Sequence, residues 1–316
     1  MDIRNILILT QVKGIGPVFF KKKRDLLMHS NDYRIFLEEI EPEALDMISV
    51  FEREADSILQ DCKSLGVKVI SCLSEEYPSQ LLEISDPPAL LYLKGNTDLL
   101  RNVIAIIGTR HSTLLGNAIA ERLGEYFSKD FSICNGLVEG IDEHSIYFNG
   151  KATNKAIGII SGGMNYPVTC SKSHVKVIDD VLQAGGLVLS EFPPQQHEDK
   201  YSGSKASRIQ AGLSHGLILV QSSLDGGSKY TLSTFVKLAR TLGVIHFPSS
   251  DEYREESFEA NRIIVSEKIA GVAKMIGLKT EKKICLKTIM PIQGKNDYEV
   301  FKNKVLLSLN SQTSLF

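Results

Sequence analysis

The central part of the chain alternates continuous apolar segments with amphipathic ones, and this alternation constrains the fold more than any other feature. A helical pattern lies between most of the apolar runs, which cover residues 103–107, 131–134, 156–160, 187–189, 217–220 and 244–247. Strands that are apolar on both faces are typical of a parallel sheet covered by helices on its two sides. The sequence therefore predicts an α/β fold with an extended Rossmann-like parallel sheet over about residues 101–277.

The segments before and after this region have different patterns. Residues 1–62 carry apolar side chains at helical spacing, and the Gly14-Ile15-Gly16-Pro17 turn ends one helix and begins the next, as in a helical hairpin. We therefore predict a small helical N-terminal domain at 1–62, a Rossmann-like domain at 63–277 and a short C-terminal tail at 278–316. Within the tail, residues 298–307 suggest one short helix and residues 308–316 a mobile end.

Composition limits the possible classes of protein. Hydrophobic residues make up 43% and charged residues 23% of the chain, and the formal net charge is -2. Such a charge does not steer the whole molecule to nucleic acid, so any anion-binding surface must be local. Five scattered cysteines without CxxC spacing predict neither a disulfide framework nor a zinc site. With no signal peptide and no apolar stretch approaching the ~20 residues of a membrane span, the expected location is the cytoplasm.

Glycine-rich loops follow four of the predicted strands. Ligands of an open parallel sheet bind beyond the carboxyl ends of its strands, where helix N-termini can face an anion. A crevice that holds phosphate groups is the preferred interpretation, and the alternative is that these glycines only serve tight turns. The candidate residues in these loops are Gly108, Thr109, Arg110, Gly136, Gly140, Asp142, Gly162, Gly163, Gly226, Gly227, Ser228 and Thr231.

A further pair of cations lies before the run at 217–220. Lys205 and Arg208 are three residues apart and share one helix face, which suits either phosphate binding or simple solvation.

No Ser-His-Asp order, HExxH motif or carboxylate cluster stands out, so we predict no catalytic residue, no metal site and no cofactor. The histidines are isolated in sequence and are expected to have ordinary surface or loop roles; they include His111, His144, His174 and His215.

The ordered series of these motifs resembles the DNA-processing protein A family, also called Smf. The resemblance covers most of the chain, from about residue 6 to residue 277, and the order and intervals of the motifs make it specific. The motifs are Gly14-Ile15-Gly16-Pro17, Tyr77-Pro78, Asp86-Pro87-Pro88, Gly108-Thr109-Arg110, Gly136-Leu137, Gly140-Ile141-Asp142, Gly162 to Tyr166-Pro167, Ser190-Glu191-Phe192-Pro193, Arg208-Ile209, Ala211-Gly212-Leu213-Ser214 and Gly227-Ser228.

The resemblance implies a fold and a function. Family members place a helical domain before an extended Rossmann fold and bind single-stranded DNA in a basic pocket. They help to load a RecA-type recombinase in DNA recombination and natural transformation, often as homodimers, and they are not established enzymes. The resemblance places Arg110 and Arg208 in that DNA-binding pocket.

This chain departs from the family pattern at several positions. Where the family typically has Phe-Pro-x-Arg-Asn-Arg, this chain has Gly203, Ser204, Lys205, Ala206, Ser207 and Arg208, so one arginine is lost and Lys205 lies beside the gap. Gln221 replaces a frequent glutamate, Gly226 replaces a serine, and Ile146 replaces the histidine that usually follows Gly-Ile-Asp. The C-terminal tail is too short for the winged-helix domain of some members. We therefore expect a divergent member with altered DNA affinity or partners.

A nucleotide-binding sensor or hydrolase of the related Rossmann-like superfamily is the alternative, with a role in defence or signalling. Hydrolases of that group resemble this chain through a glycine-rich loop followed by a catalytic glutamate. Residues 225–233 contain no glutamate at that place, and there is no complete GxGxxG motif with a later acidic residue. These features favour binding over catalysis.

Overall fold

The computed structural model describes the backbone of residues 1–313 and the side chains of residues 1–309. In the described part of the chain, no helix combines the length and the apolar character that crossing a bilayer requires. The α-helices in chain order are α1 (Ile3–Thr10), α2 (Pro17–Lys22), α3 (Arg24–His29), α4 (Arg34–Ile40), α5 (Ile48–Leu65), α6 (Leu114–Phe127), α7 (Ile141–His144), α8 (Tyr166–Thr169), α9 (Lys172–Gln183), α10 (Ser202–Leu213), α11 (Ser228–Phe235), α12 (Glu259–Glu267), α13 (Ile269–Met275) and α14 (Lys295–Thr313). Short 3₁₀ turns cover Pro42–Met47, Ser79–Glu83, Thr97–Leu100, Glu252–Arg254, Glu256–Phe258 and Glu281–Lys283.

One nine-stranded sheet forms the centre of the molecule. Its strands are β1 (Lys68–Ser71), β2 (Leu90–Gly95), β3 (Val103–Ile107), β4 (Ser132–Asn135), β7 (Ala156–Ile159), β8 (Leu187–Ser190), β9 (Gly216–Leu219), β10 (Thr241–Ile245) and β11 (Thr288–Ile292), while β5 (Tyr147–Phe148) and β6 (Lys151–Ala152) form a separate hairpin. The order across the sheet is β1-β2-β8-β7-β4-β3-β9-β10-β11. The strands from β8 to β11 in this order are parallel, and β2 and β1 join at one edge in antiparallel pairs.

The central strands are buried along their whole length. Every residue of β3, β4, β7, β8, β9 and β10 is buried, as expected for a parallel sheet with helices on both faces. This arrangement confirms the predicted fold class. It follows from the sequence because a strand whose side chains are apolar on both faces is stable only when both faces are buried.

A helical region precedes the sheet, as predicted. Helix α1 buries four consecutive apolar residues, from Ile6 to Leu9, and packs against α5. Gly14 has a φ of 88°, and Pro17 is the first residue of α2, so this turn separates two helices as the sequence indicates. Helix α5 continues to Leu65 and ends at Gly66, whose φ of 65° suits a left-handed cap. The predicted domain boundaries at residues 62 and 277 stay a prediction.

The C-terminal segment differs from the expected short tail. Strand β11 pairs in parallel with β10, and α14 runs from Lys295 to Thr313, so residues 308–313 are helical rather than a mobile end. Residues 314–316 of the predicted mobile end lie outside the described residues. Strand β11 escapes sequence analysis because it contains Pro291, a residue that a strand tolerates at a sheet edge, where one backbone amide needs no partner.

Helix α14 packs closely on the sheet through two glycines. A Cβ on Gly216 would lie 2.5 Å from Val305 and 3.1 Å from the Phe301 ring, and a Cβ on Gly243 would lie 3.0 Å from the same ring. Phe301 is fully buried, and its ring centroid is 5.7 Å from that of Phe127 in α6. The aromatic ring therefore fills space that the two glycines leave open.

Replacing Phe301 with alanine should lower the free energy of unfolding by about 3–5 kcal/mol, because the change leaves a cavity against the sheet. Val300→Ala is the matched control, since Val300 is 47% exposed on the same helix, and it should change stability by less than about 0.5 kcal/mol. Urea unfolding of both variants checks the prediction. Equal stability of the two variants would show that α14 does not contribute to the core.

Candidate nucleic-acid interface

The candidate site lies where the chain changes direction across the sheet. From β3 the chain passes through β4 and β7 to β8 on one side, and later through β9 and β10 to β11 on the other. In an open α/β sheet a crevice forms beyond the carboxyl ends of the strands at such a switch point. The loops that follow β3, β4 and β9 therefore surround this crevice.

These three loops are in direct backbone contact. The amide of Thr109 donates to the carbonyl oxygen of Gln221 at 2.8 Å, and the amide of Ile141 donates to the carbonyl oxygen of Thr109 at 3.2 Å. Gly140 has a φ of 83°, and a Cβ there would lie 2.5 Å from the Thr109 carbonyl oxygen. A Cβ on Gly108 would lie 2.9 Å from the Gln221 carbonyl oxygen. The packing of the loops therefore requires both glycines, whatever the loops bind.

Arg110 and Asp142 are two of the charged residues in the loops around the crevice, which also contain the exposed Glu139 and Asp225. The Arg110 side chain is exposed and forms no ion pair with any residue in the described part of the chain. Asp142 is 6% exposed, and its Oδ2 accepts a hydrogen bond from the amide of Gly136 at 2.8 Å. Burial raises the pKa of Asp142 to about 7, although the Gly136 amide and the charge of Arg110 oppose this shift. Burial therefore favours the neutral form of this carboxyl group, and the nearby Arg110 favours the charged form.

The loop after β9 leads into α11 and leaves polar groups available. Gly227 borders open space, since a Cβ there would meet no atom within 4 Å. Ser228 begins α11 and is 5% exposed, and its Oγ has no hydrogen-bond partner among the described residues. The Nε2 of Gln221 also lacks a partner within that set, while the Oγ1 of Thr231 lies 3.4 Å from Gln210. Buried polar groups are normally paired, so these two atoms are exceptions within the described part of the chain.

Gly162 and Gly163, after β7, pack against a neighbouring loop instead of open space. A Cβ on Gly163 would lie 2.1 Å from the carbonyl oxygen of Pro193, and one on Gly162 would lie 2.9 Å from that of Thr169. The Gly163 amide donates to the carbonyl oxygen of Gln196 at 2.8 Å. For this pair the geometry favours a packing role over the predicted phosphate contact.

Lys205 and Arg208 are separate from these loops. They line a cavity of about 510 Å³ between α1, the turn into α2, the beginning of β2 and the segment after β8, and none of the four strand-end glycine loops contributes to its wall. Apolar side chains form most of the wall, including Leu7, Ile15 and Phe192. The structure therefore divides the predicted site into a crevice with Arg110 and a cavity with the other two cations.

Arg208 is occupied by contacts within the protein. Its Nη1 and Nη2 donate to the two carboxylate oxygens of Glu191 at 2.7 and 2.6 Å, its Nε donates to Asp86 at 2.9 Å, and Nη1 also donates to the carbonyl oxygen of Lys205 at 2.8 Å. The residue is 8% exposed. This geometry disfavours the predicted phosphate-binding role of Arg208 and gives it a structural one. Lys205 is exposed, with its Nζ 5.2 Å from the Phe192 ring centroid.

Sequence reasoning missed two exposed tyrosines at the beginnings of α10 and α11. Tyr201 immediately precedes α10 and is 59% exposed, and Tyr230 lies in the first turn of α11 and is 51% exposed. The Nζ of Lys200 lies 4.8 Å from the ring centroid of Tyr201, and the Nζ of Lys229 lies 5.8 Å from that of Tyr230. Both pairs follow the carboxyl ends of strands, and the repeated Lys-Tyr dipeptide was the available signal. An exposed ring beside a cation can stack a base and attract a phosphate.

Other titratable groups have structural environments. His215 is buried, its Nδ1 accepts a hydrogen bond from the amide of Val103 at 3.2 Å, and burial together with the charge of Arg240 lowers its pKa to about 4. Among residues with described side chains, no group of three or more histidine, cysteine or acidic residues is arranged to hold a metal ion. These side chains therefore add nothing to the chemistry of the crevice.

The fold is that of a Rossmann-like protein, with an exposed arginine, Arg110, beside the carboxyl ends of its central strands. Residues 68–280, about two thirds of the chain, match the family described as DNA recombination-mediator protein A. The chain belongs to this family.

Several curated relatives are similar to the chain. DNA processing protein DprA of Bacillus subtilis (strain 168) is 32% identical over 211 residues, which cover 65% of this chain and 69% of the relative. DprA of Streptococcus pneumoniae is 32% identical over 178 residues, covering 55% and 61%. Protein Smf of Escherichia coli (strain K12) is 28% identical over 181 residues, covering 55% and 47%. The chain thus spans less than two thirds of the last two relatives.

Two solved structures are also similar. The X-ray structure of DNA processing protein A from Streptococcus pneumoniae has a TM-score of 0.68 at 21% identity and covers 95% of this chain and 98% of that one, which supports the fold. A structure of the Helicobacter pylori protein has a TM-score of 0.53 at 25% identity and covers 64% and 88%. That structure is described as giving insight into a unique single-stranded DNA binding mode.

Replacing Arg208 with alanine should lower the free energy of unfolding by about 3 kcal/mol, because the change leaves the largely buried carboxylate of Glu191 without its partner. Lys205→Ala is the control on the same helix and should change stability by about 0.5 kcal/mol or less. Urea unfolding and nucleic-acid affinity are measured on both variants. A fully stable Arg208→Ala protein that loses affinity would restore the phosphate-binding role.

Proposed function

We propose that the chain binds single-stranded DNA along the carboxyl edge of its sheet and delivers it to a RecA-type recombinase. The observation behind this proposal is Arg110, an unpaired cation beside backbone-packed loops at the switch point. Membership of a recombination-mediator family supports a role with DNA, and the Helicobacter pylori relative is described as binding the single-stranded form.

The geometry suggests how a strand would lie. A phosphate would meet the guanidinium fork of Arg110, and a neighbouring one would approach the open backbone at Gly227. Bases would stack on Tyr201, just before α10, and on Tyr230, in the first turn of the adjacent helix α11. Stacking and backbone contacts do not read base edges, so binding should depend little on sequence.

The recombinase, the homodimer and a place in natural transformation are proposed from the family, and no single residue of this chain carries them. We also propose that the chain is not itself an enzyme. Within the described residues, the crevice holds Arg110, Asp142 and Ser228 without a base positioned beside a nucleophile.

A free nucleotide is the second candidate ligand. It is the ligand that a nucleotide-binding sensor of the related Rossmann-like superfamily would hold. The Oγ of Ser228, which has no hydrogen-bond partner among the described residues, favours it, because it lies at the start of α11 beside the open backbone of Gly227. Asp142 could accept a hydrogen bond from a sugar hydroxyl. The DNA titration below therefore includes nucleoside monophosphates as competitors.

Fluorescence anisotropy with labelled oligonucleotides tests the proposed function. Binding through ~3–5 phosphates should give a log–log salt slope of roughly -2 to -3.5 for single strands. Duplex of the same length should bind more weakly, since its bases are not free to stack. A flat salt dependence, or equal affinity for duplex, would contradict single-stranded DNA binding. Competition by a nucleoside monophosphate at matched concentration would favour the nucleotide instead.

Arg110→Ala should weaken single-stranded DNA binding by about 1.5–3 kcal/mol, or roughly 10- to 150-fold, and should reduce the magnitude of the salt slope by about 0.7. Arg101→Ala is the matched control, because Arg101 is 82% exposed at the amino end of β3. Arg110→Lys keeps the charge without the fork and should restore binding only in part. Melting temperatures are measured on the same samples, and an Arg110→Ala protein that binds normally when folded would remove Arg110 from the site.

A further inference from the structure

Positive charge is concentrated in one segment that the crevice does not use. Residues 267–287 carry six lysines and two glutamates, a net charge of +4 in a chain whose net charge is -2. The rest of the chain is therefore acidic overall. The lysines are all exposed, and we call them the lysine patch: Lys268, Lys274, Lys279, Lys282, Lys283 and Lys287.

Part of the lysine patch surrounds a depression in the surface. Lys274, Lys279 and Lys282 line a bowl of about 650 Å³, together with Glu267 and Glu281. Among the described side chains, the lysine patch forms a single ion pair, from Lys274 to Glu267 at 3.9 Å. Most of its charge is therefore not neutralised by the protein.

The C-terminal part of the lysine patch lies at the amino ends of the strands, and the crevice lies at their carboxyl ends. The amide of Cys285 donates to the carbonyl oxygen of Val236, and the amide of Lys287 donates to that of Arg240, just before β10 begins. Lys287 also immediately precedes β11. These residues therefore stand at the amino ends of strands whose carboxyl ends face the crevice side.

The residue types in the segment favour a polyanion over a protein. Residues 267–287 contain neither arginine nor any aromatic residue. The centres of protein–protein interfaces are rich in tyrosine, tryptophan and arginine and poor in lysine. Lysine is a mobile point charge without a fixed fork, which suits non-specific contact with a phosphate backbone.

We propose that the lysine patch is a second binding surface for a nucleic-acid backbone, separate from the strand-end crevice. One chain would then hold two segments of DNA, one at the carboxyl ends of its strands and one at their amino ends. The choice of DNA as the polyanion rests on the proposed function, but the surface does not depend on Arg110.

A charge-reversal variant tests the patch. The triple change Lys279→Glu, Lys282→Glu and Lys283→Glu is compared with the same net change at three exposed lysines elsewhere, by Lys22→Glu, Lys63→Glu and Lys151→Glu. For a single strand of about 30 nucleotides, the patch variant should bind at least tenfold more weakly, with a salt slope smaller in magnitude by about 2. The control should keep the wild-type slope. Equal behaviour of the two variants would overturn the proposal.

Oligonucleotide length separates the two sites. A strand of roughly 6 nucleotides, near the lower end of single-fold site sizes, should depend on Arg110 and be indifferent to the patch variant. If Arg110→Ala has no effect while the patch variant loses long strands, the crevice proposal fails and the patch stands. If the short strand loses affinity equally in the patch variant, the patch is part of one site and the proposal is wrong.

Cys285 provides a direct readout at the patch. It is the exposed cysteine of the chain, whereas Cys62, Cys72 and Cys134 are buried and Cys170 is half-buried. In the Arg110→Ala protein, the long strand should slow maleimide modification of Cys285, located by mass spectrometry. Unchanged modification at saturating DNA would overturn the proposal. So would equal protection by polyglutamate at matched charge, since the surface would then fit an acidic protein.

Discussion

Three loops meet at the switch point so closely that two of their contacts leave no room for a side chain. Gly108 and Gly140 each face a carbonyl oxygen of another loop, and Gln221 joins the loops through its backbone. The side chain of the same glutamine accepts a hydrogen bond from the amide of Thr113, where α6 begins, at 3.1 Å. The position of Arg110 therefore depends on the mutual packing of β3, β4 and β9. A site of this kind is held by rigid backbone, and ligand contacts need not order it first.

The parallel sheet could be predicted because the central strands are short, largely apolar runs that alternate with helical patterns. The edge strand β11 could not, since it is only partly buried and includes Pro291. The closing of this side of the sheet depends on residues of other elements. Gly216 in β9 and Gly243 in β10 leave space that Phe301 of α14 fills. Such a complementarity between distant residues becomes visible only when the chain is folded.

The location of a candidate residue could be predicted where the residue directly follows a strand. Arg110 follows β3 directly, so the topology alone brings it to the crevice. The environment of Arg208 is set by Asp86, 122 residues away, and by Glu191, 17 residues away. No local pattern shows that these carboxylates meet the guanidinium. The two exposed tyrosines differ from Arg208, because the sequence does show a repeated Lys-Tyr dipeptide. Whether their rings are free to stack a base depends on solvent exposure, which the sequence does not show.

The closure of the sheet by β11 and α14 has a consequence for synthesis on the ribosome. Residues 288–309 emerge after all the other strands, because the chain is made from its N-terminus. Until then β10 is an unpaired edge of the sheet, and the face around Gly216 and Gly243 lacks the ring of Phe301. An open apolar edge can pair with another nascent chain. The interval between the translation of β10 and that of α14 is therefore the period in which this protein most needs protection from aggregation.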